Sequence, residues 1–154
     1  MIVGIDPGAS GALAFFDMEQ GALEIIDMPV MEIERSGKLK REISPTFLAK
    51  ALDDFSPAVA YVEKVGAMPG QGVSSMFQFG RGVGMVEGVL AALAIPVYYV
   101  TPQQWQKSTG TRGGKDGSRL RAVELFPKYA PLFARKKDDG RADAALIAWH
   151  GATL

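Results

Sequence analysis

Apolar and polar positions alternate between strand-like and helix-like spacing along the chain, and that alternation predicts its elements. Met1–Asp6 is short, apolar and β-branched, the pattern of a buried strand. Pro7-Gly8-Ala9-Ser10-Gly11 reads as a turn, Gly11–Phe16 as a second strand and Ala22–Met28 as a third. Their spacing is that of an antiparallel meander. Val30–Ile43 is polar and charged with no clear period, which predicts a loop. Ser44-Pro45 supplies an N-cap followed by proline at the first helical position. Phe47, Leu48, Ala51, Leu52 and Phe55 then recur at helical spacing up to the stop at Pro57. Ala58–Glu63 predicts a fourth strand, apolar until its last residue.

Gly66–Gly72 is rich in glycine and proline and predicts a loop, and Val73–Leu93 predicts a long helix. Gly80, Gly82, Gly84 and Gly88 each weaken that helix by roughly 1 kcal/mol relative to alanine. Their expected role is close packing against the sheet or against a nucleic acid. Pro96–Val100 predicts a fifth strand, and Thr101-Pro102 caps a short helix over Pro102–Gln106. Ser108–Gly117 is polar, glycine-rich and basic, a mobile connection. Helices follow at Gly117–Phe126 and Asp138–Trp149, with Ala130–Lys137 connecting them. A meander followed by strand–helix alternation predicts an α/β fold: a mixed five-stranded sheet with helices on both faces. The length, 154 residues, fits one domain over residues 1–154.

Composition narrows the chemistry. With no cysteine there is no disulfide framework, no thiolate metal site and no cysteine nucleophile. With a single histidine, any metal must be held mainly by oxygen ligands. No apolar run approaches the ~20 residues of a membrane span. Met1 leads straight into a strand, without a secretory signal, so a soluble cytoplasmic protein with no membrane partner is expected. The net charge is zero, but it is unevenly spread. Residues 1–100 carry 7 basic and 12 acidic residues, residues 101–137 carry 9 and 2, and residues 138–154 carry 1 and 3. A basic segment beside acidic clusters is either a solvated surface or a phosphate-binding face next to a carboxylate site.

Asp6 and Glu63 each stand at the end of an apolar strand, where a charge is costly unless it is paired or binds a metal. Asp139 and Asp143 lie four apart on the last helix and share a face. Helix-terminal placement alone accounts for these two, and for Asp138. A joint account is a cluster of hard oxygen ligands for Mg²⁺ or Mn²⁺. Two such ions clamp the attacking and leaving oxygens of an in-line phosphoryl displacement, with no nucleophilic side chain required.

Gly4-Ile5-Asp6-Pro7-Gly8 resembles the opening of the RuvC family of Holliday-junction resolvases, as does Tyr61-Val62-Glu63-Lys64-Val65 at its distance from Asp6. Phe79-Gly80-Arg81-Gly82-Val83-Gly84 resembles that family's Arg-Gly helix start. Pro96-Val97-Tyr98-Tyr99-Val100-Thr101-Pro102 with the basic segment after it, and Asp139-Gly140-Arg141-Ala142-Asp143-Ala144-Ala145-Leu146, are also similar, in the same order. The resemblance implies a ribonuclease-H-like fold. It implies Mg²⁺-dependent hydrolysis at four-way DNA junctions by a homodimer that cuts opposed strands symmetrically and leaves 5′-phosphate and 3′-hydroxyl ends. Mn²⁺ would substitute, with two ions per site.

Carried over by position, Asp6, Glu63 and Asp143 match the metal-binding acids. The bacterial enzymes often place Asp or His three residues before the last acid, where this chain has Gly140, so Asp139 is the expected fourth acid ahead of Asp138. They often carry a junction-wedging aromatic three residues after the second acid, where this chain has Gly66; Met68 is nearby, and Phe77 and Phe79 lie further along. The short chain and variant acidic helix look more like the phage-encoded branch, which implies broader substrates such as forks and flaps.

Arg81, Lys107, Arg112, Lys115 and Arg119 are the expected DNA contacts, through phosphates rather than bases. Arg121 belongs to the same basic segment, and Arg135-Lys136-Lys137 reads equally as solubility charge or as a contact to DNA flanking the site. His150 lies seven residues, about 10 Å, beyond Asp143 along a helix and is expected at its surface or end. Trp105 and Trp149 are expected to be packing residues, partly buried. Three rivals remain. One is a flap, fork or RNA-directed nuclease on the same fold. Another is an actin-like nucleotide-binding domain, which needs a second glycine-rich hairpin and a longer chain. The third is a non-catalytic DNA-binding module whose acids merely cap and solvate.

Overall fold

β1 (Ile2–Ile5), β2 (Ala12–Asp17) and β3 (Ala22–Asp27) form the expected antiparallel meander, with Ile5 opposite Leu13 and Phe16 opposite Leu23. The computed structural model describes residues 1–35, 37–67, 69–114 and 116–154. β6 (Ala60–Glu63) joins the other edge of β1 in parallel, and β7 (Val97–Val100) pairs in parallel with β6. The five-stranded sheet therefore runs β3-β2-β1-β6-β7. A mixed sheet of five strands was expected, and the parallel joints fall where a helix crosses between strands.

Strand parity divides the core. Val3, Ile5, Leu13, Phe15, Ala60 and Val62 point to one face and pack with α1 (Pro45–Phe55) and α2 (Val73–Ala92). Ile2, Ala12, Ala14, Phe16 and Tyr61 point to the other and pack with α3 (Pro102–Thr109), α4 (Gly117–Leu125) and α5 (Asp139–Ala152). Both faces are covered, so the strands read as near-continuous apolar runs rather than alternating ones. Among the described residues, no helix is long and apolar enough to cross a membrane.

The segment expected as a loop, Val30–Ile43, is instead a hairpin of β4 (Val30–Arg35) and β5 (Lys38–Ile43) that forms its own two-stranded sheet. Its turn holds Gly37 at φ +71°, a left-handed conformation that suits glycine. The hairpin projects with both faces largely solvated, so no apolar period marks it. Cross-strand pairing of opposite charges, Glu32 against Arg41, takes the place of a buried face. Only its base is anchored, by buried Ile43. Glu42 accepts ion pairs from Arg35 at 2.9 Å and from Arg81 on α2 at 3.1 Å.

Three further expectations shift. The short helix over Pro102–Gln106 runs on to Thr109 and stops at Gly110, which adopts φ +69°; the connection after it is correspondingly shorter. Ala130–Lys137 is largely wound into 3-10 turns, Pro127–Phe133 and Lys136–Asp138. Of the glycines expected to pack α2 closely, Gly82 does so: a Cβ there would stand 3.2 Å from Ile43 Cδ1. Gly80, Gly84 and Gly88 face open space, because their four-residue spacing puts them on the side of the helix opposite buried Val86 and Leu90.

Helix α5 lies directly on the sheet. A Cβ on Gly4 would overlap Ala144 O and Ala148 N and sit 2.9 Å from Ala148 Cα; one on Gly151 would enter the Tyr61 ring. The Gly4 contacts are with the backbone of the helix, with no flexible side-chain tip to yield. Gly4→Ala is therefore expected to destabilise the fold by about 1–3 kcal/mol, the usual cost of overpacking. A lowered midpoint of denaturant unfolding would show it. An unchanged midpoint would mean that α5 can lift off the sheet freely.

Candidate active site

Register brings the first two acids together. Ile5 pairs with Val62 across the parallel β1–β6 joint, so Asp6 and Glu63, each one residue further, leave neighbouring strands side by side. Neighbouring strands lie about 4.8 Å apart. Asp6 shares the parity of Ile2 and Gly4, and Glu63 that of Tyr61, so both side chains turn to the face that α5 covers.

Local geometry fixes Asp6 in place. Its backbone N–H donates to Ala12 O at 3.1 Å, and its Oδ1 accepts from Gly8 N at 3.2 Å, a turn in which an aspartate bonds the chain two residues on. Glycine at 11 is obligatory, since a Cβ there would stand 2.7 Å from Asp6 Cγ. The first turn of α5 then comes down on this loop. A Cβ on Gly140 would lie 2.6 Å from Ser10 O, 2.8 Å from Gly11 Cα and 3.2 Å from Asp6 Oδ2. Position 140 thus faces Asp6 directly, and it is closed to any side chain. Three residues along the same helix, Asp143 joins the group.

Burial dominates the electrostatics. The Asp6 carboxyl is pushed up to about 7, first by burial and further by the charges of Glu63 and Asp143; the Gly8 N–H works against it. Asp143 is pushed up to about 6, first by burial, then by Glu63 and Asp139, with a hydrogen bond from Ser118 opposing. Burial also raises Glu63, against a lowering hydrogen bond from Trp105. Three half-desolvated carboxylates that repel one another ask for a cation.

The donor set fits a hard divalent cation. Every candidate donor is a carboxylate oxygen, and Asp143 Oδ1 is buried with no hydrogen-bond partner. Among the described residues no three such side chains already stand as a closed ligand cage. Mg²⁺ does not require one: it binds through one or two carboxylates, keeps waters and takes substrate phosphate oxygens for the rest.

Other expected residues are distributed unequally around this group. Asp139 is close enough to raise Asp143, but its own side chain is exposed and engaged by Arg119 Nε at 2.9 Å. Asp138 is buried and bonded to Arg135, whose backbone N–H donates to it at 2.8 Å; it holds the turn before α5 and stands apart from the acids. Arg119 is a strut more than a free cation, tied to Asp116, Asp139 and the Ala134 carbonyl. Arg81 is tied to Glu42.

Lys107 is exposed and lines a cleft of about 730 Å³ with Tyr61, Tyr98, Gln104, Ser108 and His150. Arg112 is exposed in the connection after α3. Lys115 and Met68 lie outside the described residues. Phe77 is exposed on the first turns of α2, and Phe79 is half-buried. His150, expected at the helix surface or end, stands in the last turn of α5 but is buried, with Nδ1 2.5 Å from Ser108 Oγ; α3 folds over the C-terminal turns of α5 and covers it. Trp149 packs between Phe16 and Phe126. Trp105 is more than packing: it is 1% exposed, and its indole Nε1 donates to Glu63 Oε1 at 2.9 Å. Sequence spacing missed this bond. Its one signal was the placement of Trp105 in the first turn after a strand that borders β6.

No protein-family model matches the chain. It is 32% identical over 144 residues to a chloroplastic Holliday junction resolvase of Chlamydomonas reinhardtii; the match takes in 79% of this chain and 16% of the length of that protein. Among solved structures it is similar to Thermus thermophilus RuvC in complex with a Holliday junction substrate, with TM-score 0.64 at 16% identity, over 99% of this chain and 94% of that one. A second Thermus thermophilus RuvC structure gives TM-score 0.59 at 20% identity, over 99% and 95%. The yeast mitochondrial Holliday junction resolvase gives 0.52 at 16%, over 98% and 79%. The chain shares the fold of the Thermus thermophilus RuvC structures, the ribonuclease-H-like fold that the motifs led one to expect.

Raised carboxyl values make stability depend on pH. Asp6 is protonated more readily folded than unfolded, so its contribution is complete below about 4, its ordinary range, and is lost as pH rises through about 7. In chelator, Asp6→Asn is expected to gain stability over the parent as pH goes from 5 to 8, read as the difference between their unfolding midpoints. A difference that stays flat across that range would contradict the buried, repelled state of Asp6.

Proposed function

We propose that this chain is a metal-dependent endonuclease that resolves four-way DNA junctions, with Asp6, Glu63 and Asp143 holding Mg²⁺. The observation that carries the reading is the register step that sets Asp6 beside Glu63 on one face, under the helix turn bearing Asp143. Coupling of three acids across the ends of two parallel strands and a helix is a costly arrangement for a binding module, in which nothing requires them to approach. The names of the similar proteins support the four-way junction as substrate.

Mg²⁺ held there, as two ions once substrate phosphate completes the shell, would supply the charge that activates water and stabilises the departing 3′ oxygen. The chain's residues do the rest. Asp6 is immobilised by Gly8 N–H and the Gly11–Gly140 contact, so its oxygens keep one direction. Asp143 offers a buried oxygen without competing protein donors. Asp139 stands at the edge of the group as the fourth acid, reached only by release from Arg119. Lys107, Arg112 and Lys115 supply cations for backbone phosphates flanking the cut, and Arg81 and Arg119 border the same strands while bracing the fold. Water attacks phosphorus in line, the bond to the 3′ oxygen breaks, and 5′-phosphate and 3′-hydroxyl ends remain. A homodimer would set two such groups on opposed strands. Mn²⁺ would substitute for Mg²⁺.

A labelled synthetic four-way junction and a matched linear duplex, each with Mg²⁺ and with chelator, test this. Paired symmetric nicks in the junction alone are expected. Asp6→Asn, Glu63→Gln and Asp143→Asn should each lower cutting by at least about 100-fold. Each should keep junction binding or tighten it, because each removes repulsion with phosphate. Binding without cutting under any divalent metal would leave a DNA-binding module. Equal cutting of forks and flaps would make the enzyme a broader debranching nuclease.

A further inference from the structure

Helix α3 carries no acid, yet it reaches the acid group. Its start is fixed by a reciprocal cap: Gln104 N donates to Thr101 Oγ1 at 3.3 Å, and Thr101 N to Gln104 Oε1 at 2.8 Å. Its end is fixed to α5, through Ser108 Oγ against His150 Nδ1 at 2.5 Å. Between these anchors, the Trp105 carbonyl accepts from Ser108 Oγ at 3.1 Å and from Thr109 Oγ1 at 2.7 Å. The indole, 1% exposed, has one place to go, and its N–H meets Glu63 Oε1 at 2.9 Å. No described hydrogen bond reaches Glu63 Oε2.

We infer that Trp105 is a positioning residue for the metal site, its indole N–H holding one oxygen of Glu63 so that the carboxylate presents the other toward Asp6 and Asp143. The inference rests on the reading of these acids as metal ligands. A buried indole N–H needs an acceptor, and a carbonyl would serve equally well. Here the acceptor is a member of the acid group, a side chain with three free torsions that nothing else described restrains. The same helix is bonded to α5, which bears Asp143. α3 is thereby a strut linking the strand that carries one acid to the helix that carries another, and Trp105 is its contact point. Partners that orient a metal-binding side chain in this way typically govern affinity by about 10- to 100-fold.

The test uses the full chain with benzothienylalanine incorporated at position 105, which keeps the ring shape and replaces the N–H by sulfur. Trp105→Phe is the second variant. Mn²⁺ binding is followed by electron paramagnetic resonance without DNA, and thermal unfolding is measured in chelator. Mn²⁺ affinity is expected to fall by about 10-fold or more in both variants, with metal-free junction binding unchanged and the unfolding temperature of the benzothienylalanine protein held. Affinity equal to the parent's in the benzothienylalanine protein, while Asp6→Asn loses it, would make Trp105 a packing residue only. Parent protein that binds no Mn²⁺, or an Asp6→Asn variant that binds it as the parent does, would overturn the metal reading and this inference with it.

Discussion

The close approach of one helix to one sheet edge is the constraint on which the rest depends. Gly4 and Gly140 strip side chains from the contact between α5 and the β1–β2 corner, so that backbone meets backbone. Any larger residue at these positions would lift the helix and carry Asp143 away from Asp6. The alanines of α5 serve the same end: Ala142, Ala144, Ala145 and Ala148 are all fully buried. A helix of small residues can lie low over a sheet, and its first turn can then deliver an acid to the strand ends. Ligands in open α/β folds gather at the carboxyl ends of the parallel strands for the same geometric reason.

That approach has an electrostatic consequence. Bringing Asp143 onto Asp6 and Glu63 removes water from all three and leaves each raised above its ordinary range by burial first. The neighbouring hydrogen bonds oppose this without cancelling it: Gly8 on Asp6, Trp105 on Glu63, Ser118 on Asp143. A basic residue beside the group neutralises its outer member instead: Arg119 engages Asp139. The inner carboxylates are left with one another, an arrangement suited to a cation and to the phosphate that comes with it.

Much of this was legible in the sequence, for identifiable reasons. The strands that carry Asp6 and Glu63 are buried on both faces, so their apolar runs stand out, and each acid marks the point where a run ends. The register that sets them side by side, Ile5 against Val62, comes from the structure. The hairpin Val30–Ile43 was not legible because it buries neither face and so shows no period. The glycines of α2 were ambiguous for a related reason: small residues permit close approach but do not say on which side, and three of them face away from the sheet. The burial of His150 and the bond from Trp105 to Glu63 were not legible, since both depend on where α3 docks, through contacts between segments 42 residues apart. Gly140 was seen only as a departure from the acidic pattern of similar proteins. The structure gives it a positive role, as the space through which α5 reaches Asp6.

The central claim is that the α5–sheet contact assembles Asp6, Glu63 and Asp143 into a single cation site. Crystals of the chain soaked in Mn²⁺, with data collected at the manganese absorption edge, address it most directly. The account predicts an anomalous peak within coordination distance, about 2.0–2.3 Å, of oxygens from at least two of these three acids, with Asp143 Oδ1 among them. Manganese bound elsewhere on the acidic surface while these three side chains remain metal-free would contradict it.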